Sequence, residues 1–425
     1  MRPTLPLILT GLTCLLSVNT ALSQALVETA TPESAGMSTA RLTTVSEDLQ
    51  MRIDRGDIAG VVAAVIRDDQ LIYSEALGHR NLESRAPMPF DALFRTYSMT
   101  RPITALGILM LHDDGLLDLD DPVQQYLPQF TDQPVMTDPS TTGPEPTRGR
   151  RGDITLLQLL THTSGLGSRN SAMYRNHDVF NYEHSLAEVV DRAAALPLFE
   201  DPGTRYRYGL HAEVLGRVIE VVSGQPLLEF FQQRIFEPLG MEDTVFHVDE
   251  SRRERLATVY RPDENGTLQE HRMESIPVTE RRRLHSAGVG LVSSTEDFLR
   301  FSLLFLQEGE VNGEPLVSPE VIRLAGVNAI PDSLLPIDGG SSPYWAGSGW
   351  TAGGFAVALD PSVYGHAVSP GEYWWDGSAG TRFWINPEEN MIAVIMAQVS
   401  PASGNGFREA FRTGIQEAII ESRAP

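Results

Sequence analysis

The sequence predicts an α+β fold: one antiparallel sheet built from both chain ends, flanked by helices, with a mainly helical region inserted between them. Two observations carry this expectation. A β-hairpin signature lies near each end of the chain, and the stretch between them is a series of helix-like segments separated by Pro/Gly-rich loops. In chain order, residues 37–55 show leucine and isoleucine at helical spacing behind Ser38. Residues 60–66 (GVVAAVI) and 71–77 flank a polar Arg67-Asp68-Asp69-Gln70 turn and read as the first hairpin. Helical patterns follow at 106–111, 156–160, 186–195, 214–222 and 227–236, with exposed loops expected over 133–152 and 327–347. The second hairpin pairs 381–385 with 391–398 around Asn386-Pro387-Glu388-Glu389-Asn390, and an amphipathic helix over 406–421 closes the chain. No internal repeat is visible.

The bulk numbers narrow the function classes. A chain of 425 residues with 41% hydrophobic content buries a full core. Its formal charge of -23 argues against nucleic acid or an anionic membrane as partner. The chain contains no lysine; all 33 of its strongly basic residues are arginine. A natural arginine-favouring acidic proteome and a deliberate Lys-to-Arg recoding both give such a chain, and composition does not choose between them. The N-terminus, MRPTLPLILTGLTCLLSVNTALSQA, has a positive start, a short apolar core and small residues at Ala21 and Ser23. It reads as a secretory signal over residues 1–23, cleaved near Ser23, which implies a secreted or periplasmic protein with no stable membrane span after cleavage. The sole cysteine, Cys14, falls inside this segment, so disulfides and thiol chemistry are not expected in the mature chain.

Candidate chemistry begins at YSMTRPIT, residues 97–104. Ser98 stands at the start of a helix whose Ile103, Leu106, Ile108, Leu109 and Leu111 leave little polar face. A serine at a helix start sits in a positive backbone field that favours developing negative charge. From the residues alone, an ordinary N-cap serine explains the same position.

Several motifs, taken in order, change that balance. Residues 94–100 (FRTYSMT), 117–128 (LDLDDPVQQYLP), 159–166 (LLTHTSGL), 202–208 (PGTRYRY), 286–294 (SAGVGLVSS) and 375–381 (WDGSAGT) together resemble the serine beta-lactamase-like superfamily. Within it the chain is most similar to the esterases related to class C beta-lactamases, the family VIII carboxylesterases. The resemblance spans about residues 32–420. It implies the beta-lactamase/transpeptidase-like version of the α+β fold, with one hydrolase domain over 24–425: an α/β part at about 33–105 and 285–425, and a helical part at about 106–284.

The resemblance also implies roles. Ser98 is the expected nucleophile, Tyr208 the expected proton carrier, and the backbone amides of Ser98 and Ser378 the expected oxyanion hole. Tyr97, Leu210, Trp375, Asp376 and Gly377 are expected around the substrate. Trp375 stands where lactamases carry a cation for the substrate carboxylate, and Asp376 beside it is expected to repel an anionic substrate. His162 is expected to be structural, away from the chemistry. Arg101 occupies the position of the motif lysine, one turn from Ser98. A buried lysine can lose its proton and act as a base; an arginine stays charged at any working pH. Arg101 is therefore expected to slow or disable acylation, while still able to stabilise charge on Tyr208.

Other chemistries lack their signatures. There is no HExxH, no Gly-x-Ser-x-Gly elbow and no phosphate-cradling glycine loop, and neither metal nor cofactor is expected. The run Arg281-Arg282-Arg283 reads as a solvated surface turn. The expected partner is a small-molecule ester or amide, and the oligomeric state is not legible. Three functions remain: a short-chain carboxylesterase, a beta-lactamase or D,D-peptidase, and a non-catalytic ligand-binding or sensor homologue that keeps the cavity.

Overall fold

The structure, a computed structural model, describes residues 26–140, 142–272, 276–337, 343–364, 368–402 and 404–423. The expected signal segment and Cys14 lie outside the described residues.

Both ends of the chain enter one sheet. The first hairpin is β1 (Gly60–Arg67) and β2 (Gln70–Asn81), joined by Asp68 and Asp69. Those two have φ of 51° and 57°, the left-handed pair that a tight two-residue hairpin turn requires and that aspartate tolerates. The later strands are β3 (Ser348–Trp350), β4 (Ala356–Ala358), β5 (Tyr373–Asp376), β6 (Arg382–Asn386) and β7 (Met391–Met396). Their spatial order is β2-β1-β7-β6-β5-β4-β3, antiparallel throughout, with Glu28–Thr29 added in parallel along the outer side of β2. The strand from the far end of the sequence, β7, thus sits against β1 from the near end, Met396 opposite Val62 and Met391 opposite Arg67.

Successive strand residues face opposite sides of a sheet, and the aromatic contacts show what covers each. Trp384 meets Phe411 of the terminal helix Phe407–Ala418, which packs beside the first helix, Thr39–Asp54. Its neighbour Phe383 meets Phe298 and Phe301 of the helix Thr295–Leu306 on the other face. Arg67, fully buried at the end of β1, ties the chain ends together. It donates to the carbonyls of Ala35 (2.9 Å), Gly36 (3.2 Å) and Glu421 (2.8 Å) and pairs with Glu389.

Both expected hairpins, the first and last helices and the helix at 156–160 are present. The expected helix at 227–236 is continuous only to Phe231; a π turn (Gln232–Phe236) and Glu237–Leu239 complete it. The helix Thr295–Leu306 was not foreseen. The stretch 133–152 departs from a plain exposed loop: Val135–Met136 pairs with Thr147–Arg148, and Gln133, Val135 and Met136 are buried. Among the described residues no helix is long and apolar enough to cross a membrane.

Candidate active site

Ser98 lies in a 3₁₀ turn, Tyr97–Met99, between the short strand Phe94–Arg95 and the buried helix Thr100–Asp113. It does not cap that helix through its side chain, so the N-cap reading fails. Tyr97 takes φ 46°, a left-handed value costly for a bulky residue and the kind of local strain found at functional turns. Hydrogen bonds to the 286–294 segment hold the turn. The Thr96 amide and hydroxyl both donate to Leu291 O (3.0 and 2.9 Å), Leu291 N donates to Thr100 Oγ1 (3.2 Å), and Thr104 Oγ1 donates to Ala287 O (2.7 Å).

Glu213, which sequence reasoning missed, anchors that segment in turn. Its buried carboxylate accepts from Ser286 Oγ (2.6 Å), Ala287 N (2.9 Å) and Gly288 N (3.1 Å). Burial pushes its carboxyl up, against those hydrogen bonds and the nearby Arg101 charge. No sequence signal marked it, because a glutamate inside an apolar helix reads as one polar position among many.

The end of β5 reaches the same place. A Cβ on Gly377 would stand 2.6 Å from the Thr96 carbonyl oxygen, so only glycine lets this strand end pass over the turn that carries Ser98. A cavity of about 590 Å³ results, lined by Ser98, Tyr208, Trp375, Asp376, Gly377 and Ser378, with Tyr206 and Trp345 adding aromatic wall. Tyr97 and Leu210 do not line it, contrary to expectation. The left-handed turn at Tyr97 buries its ring in a cluster with Leu93, Val248 and Val289, while Leu210 is buried in the main core.

Asp376 also differs from expectation. Its carboxylate pairs with Arg382 (2.6 Å) and Arg408 (3.2 Å), and Arg382 also reaches Glu409 (3.3 Å). Burial alone would raise the Asp376 carboxyl, but Arg382 and Arg408 hold it below the usual carboxylate range. Two arginines against two carboxylates leave this wall near neutral, so Asp376 presents no bare charge to repel an anion.

Beneath the cavity lies Arg101. Its guanidinium carbon is 4.3 Å from the centre of the Tyr208 ring, stacked on the ring face. Arg101 is 9% exposed, makes no ion pair among the described residues, and its Nε and Nη1 have no hydrogen-bond partner. The buried Tyr208 hydroxyl has none either.

His162 is nearer to the site than expected. Its ring is 4.6 Å from those of Tyr208 and His211 and 4.9 Å from Trp350. Burial, His211 and Arg101 push His162 well down, and burial with Arg101 takes His211 down to about 3, so both rings are neutral. The loop around His162 braces the tyrosine loop through Gly203 N to Thr163 O (2.8 Å), Arg207 N to His162 O (2.8 Å) and Leu210 N to Gly167 O (2.9 Å). The three arginines of the 281–283 turn lie where expected: Arg282 pairs with Glu183 and Glu280, and Arg283 with Glu188.

A sheet made from both chain ends, with a serine turn packed under the end of one strand, is the architecture of the serine beta-lactamase-like hydrolases. The chain belongs to the beta-lactamase family, whose model matches residues 43–414. It is 31% identical to the protein Rv1367c of Mycobacterium tuberculosis, over 82% of this chain and 88% of that one. It is 30% identical to esterase EstB of Burkholderia gladioli, over 81% of this chain and 86% of that one. Among solved structures, EstCE1, described as a hydrolase with promiscuous acyltransferase activity, superposes with a TM-score of 0.76 at 24% identity, over 90% of this chain and 99% of that chain. The beta-lactamase/transpeptidase-like fold is thereby shown, and an esterase-type serine hydrolase is the activity class its relatives support.

Proposed function

We propose that the protein hydrolyses short-chain carboxylic esters through an acyl-enzyme on Ser98, at a rate limited by Arg101. The observation that carries this reading is the convergence of Ser98, Tyr208 and the strand end Gly377-Ser378 on one aromatic-walled cavity. In this reading Tyr208 acts from its phenolate form: Ser98 Oγ attacks the ester carbonyl carbon, and its proton passes to the phenolate oxygen, which becomes the phenol. The backbone amides of Ser98 and Ser378 take the charge on the former carbonyl oxygen. The C–O bond then breaks, the alcohol leaves with the proton from Tyr208, and water cleaves the acyl-serine by the same steps in reverse. Arg101 cannot accept a proton; its contribution is the positive charge against the phenol ring, which favours negative charge on the Tyr208 oxygen. Trp375 at the position where lactamases carry a cation supports an ester over a beta-lactam, while Arg205, Arg207 and Arg408 also line the cavity beside its aromatic rings. A secreted or periplasmic destination belongs to the same proposal and rests on the N-terminal signal pattern.

The test is p-nitrophenyl butyrate hydrolysis by the folded protein and its Ser98→Ala variant, with intact-mass detection of a butyryl adduct. Turnover abolished by the substitution supports the proposal. Saturable butyrate-ester binding with neither turnover nor adduct favours a binding protein. Labelling by a fluorescent penicillin in the absence of ester turnover favours the lactamase or peptidase reading.

A further inference from the structure

A second cavity, of about 580 Å³, opens behind the strand that leads to Ser98, and its wall is basic in a strongly acidic protein. Four arginines from separate segments line it: Arg80 at the end of β2, Arg95 three residues before Ser98, Arg253 and Arg272. Against them the lining holds Glu270 and Glu280. Glu280 is engaged by Arg282, and Glu270 stands 4.0 Å from Arg272. Burial, then Arg261, push His271 down, so it adds no charge near neutral pH.

Arg95 and Arg80 are the telling pair. Neither has an acidic partner within ion-pair distance among the described residues. Arg95 Nη1 reaches only the Ala257 carbonyl at 3.5 Å, and Arg80 Nη1 only the Leu256 carbonyl at 3.5 Å. Arg95 Nε is sealed from solvent with no partner at all. Both residues are only partly buried, but the sealed Arg95 Nε is costly unless an anion faces it. Planar guanidinium forks arriving from several directions suit an oxyanion with several acceptor oxygens, and the volume exceeds what a bare ion fills.

We propose that this cavity is a binding site for a small molecule carrying a phosphate or sulfate group, with Arg95 and Arg80 as its principal donors. The site is separate from the Ser98 cavity and does not depend on the esterase reading. An anion here would sit against the Phe94–Arg95 strand that positions the Tyr97–Met99 turn.

The experiment is a thermal melt of the full protein at constant ionic strength, titrated with inorganic phosphate, glycerol 3-phosphate or sulfate against sodium chloride, in the wild type and in Arg80→Gln and Arg95→Gln. The expected result is a saturable rise in Tm in the wild type, with the apparent Kd weakened about tenfold or more by either substitution. A tighter response to glycerol 3-phosphate than to inorganic phosphate identifies an organic ester as the ligand class. The reverse order identifies the free anion. In anion-free buffer Arg95→Gln should melt no lower than wild type, because it removes an uncompensated charge. An equal rise in wild type and variants is a general salt effect on folding and overturns the proposal, as does no rise at all. Should Arg95→Gln fail to fold, Arg80→Gln carries the same comparison.

Discussion

Arg101 and Tyr208 are stacked, not hydrogen-bonded: the guanidinium lies 4.3 Å from the ring centre, and the phenol hydroxyl is left without a partner. A cation in this position supplies charge but takes no proton. The consequence is measurable by restoring a group that can do both. Arg101→Lys should raise kcat for p-nitrophenyl butyrate by ~100- to 10,000-fold, the usual contribution of a general base. An unchanged kcat would show that Tyr208 already carries the whole proton transfer.

Tyr208→Phe separates chemistry from packing. The hydroxyl forms no hydrogen bond, so its loss leaves no buried partner stranded and the melting temperature should hold or rise slightly. Turnover should fall by about 100-fold or more. A variant as active as wild type would remove Tyr208 from the mechanism.

Asp376 gives an acid-side prediction. Arg382 and Arg408 depress its carboxyl in the folded state, so its contribution is complete above the unfolded carboxylate value and is lost as pH falls through the lower folded one. Asp376→Asn leaves Glu409 as the carboxylate beside Arg382 and Arg408 and should cost about 1–3 kcal/mol near neutral pH. The difference from wild type should shrink toward pH 2. Denaturant unfolding across pH 2–8 checks both statements.

Asp297 has the opposite sign. It sits in the first turn of the helix Thr295–Leu306, accepting from Asp243 N (2.9 Å) and Thr244 Oγ1 (2.6 Å). Burial, reinforced by the Asp243 charge and opposed by those hydrogen bonds, pushes its carboxyl up to about 7. The folded state therefore holds this proton more tightly than the unfolded chain. Stability from this group is full below the unfolded value near 4 and is lost as pH rises through about 7, by up to roughly 4 kcal/mol. Asp297→Asn should flatten that decline between pH 4 and 8 in unfolding titrations; an unchanged slope would show that Asp297 is ionised throughout.

Which parts of this molecule were readable in advance follows from how far each contact reaches along the chain. The 60–77 hairpin is local: its apolar runs and the Asp68-Asp69 turn are contiguous in sequence. The helix Thr295–Leu306 was missed although Ser294 caps it and Glu296 and Arg300, one turn apart, form a polar stripe beside the buried Phe298, Leu299, Phe301, Leu303, Leu304 and Phe305. Strands β3 and β4 are three residues each, and Gly353-Gly354 between them reads as loop. Ser98, Tyr208 and the 375–378 strand end each lie in a motif, and the structure brings them to one cavity. Tyr97 and Leu210 were assigned from their places in the resembling motifs, and backbone direction buried both side chains away from the cavity. The Asp376 charge was misjudged because Arg408, one of its partners, lies 32 positions away on the terminal helix.

The strand β7 lies in the interior of the sheet, between β1 and β6, yet more than 300 residues separate it from β1 in the sequence. During synthesis β1 therefore has an apolar, unpaired edge until that intervening stretch has been made and its neighbour exists. Pairings that distant in sequence form slowly, and an open edge of this kind invites association with other chains. A nascent chain stopped before Met391 would lack the strand that joins β1 to β6. It would hold two unjoined halves of a sheet, so any quality control that reads exposed strand edges would sense whether β7 had been made.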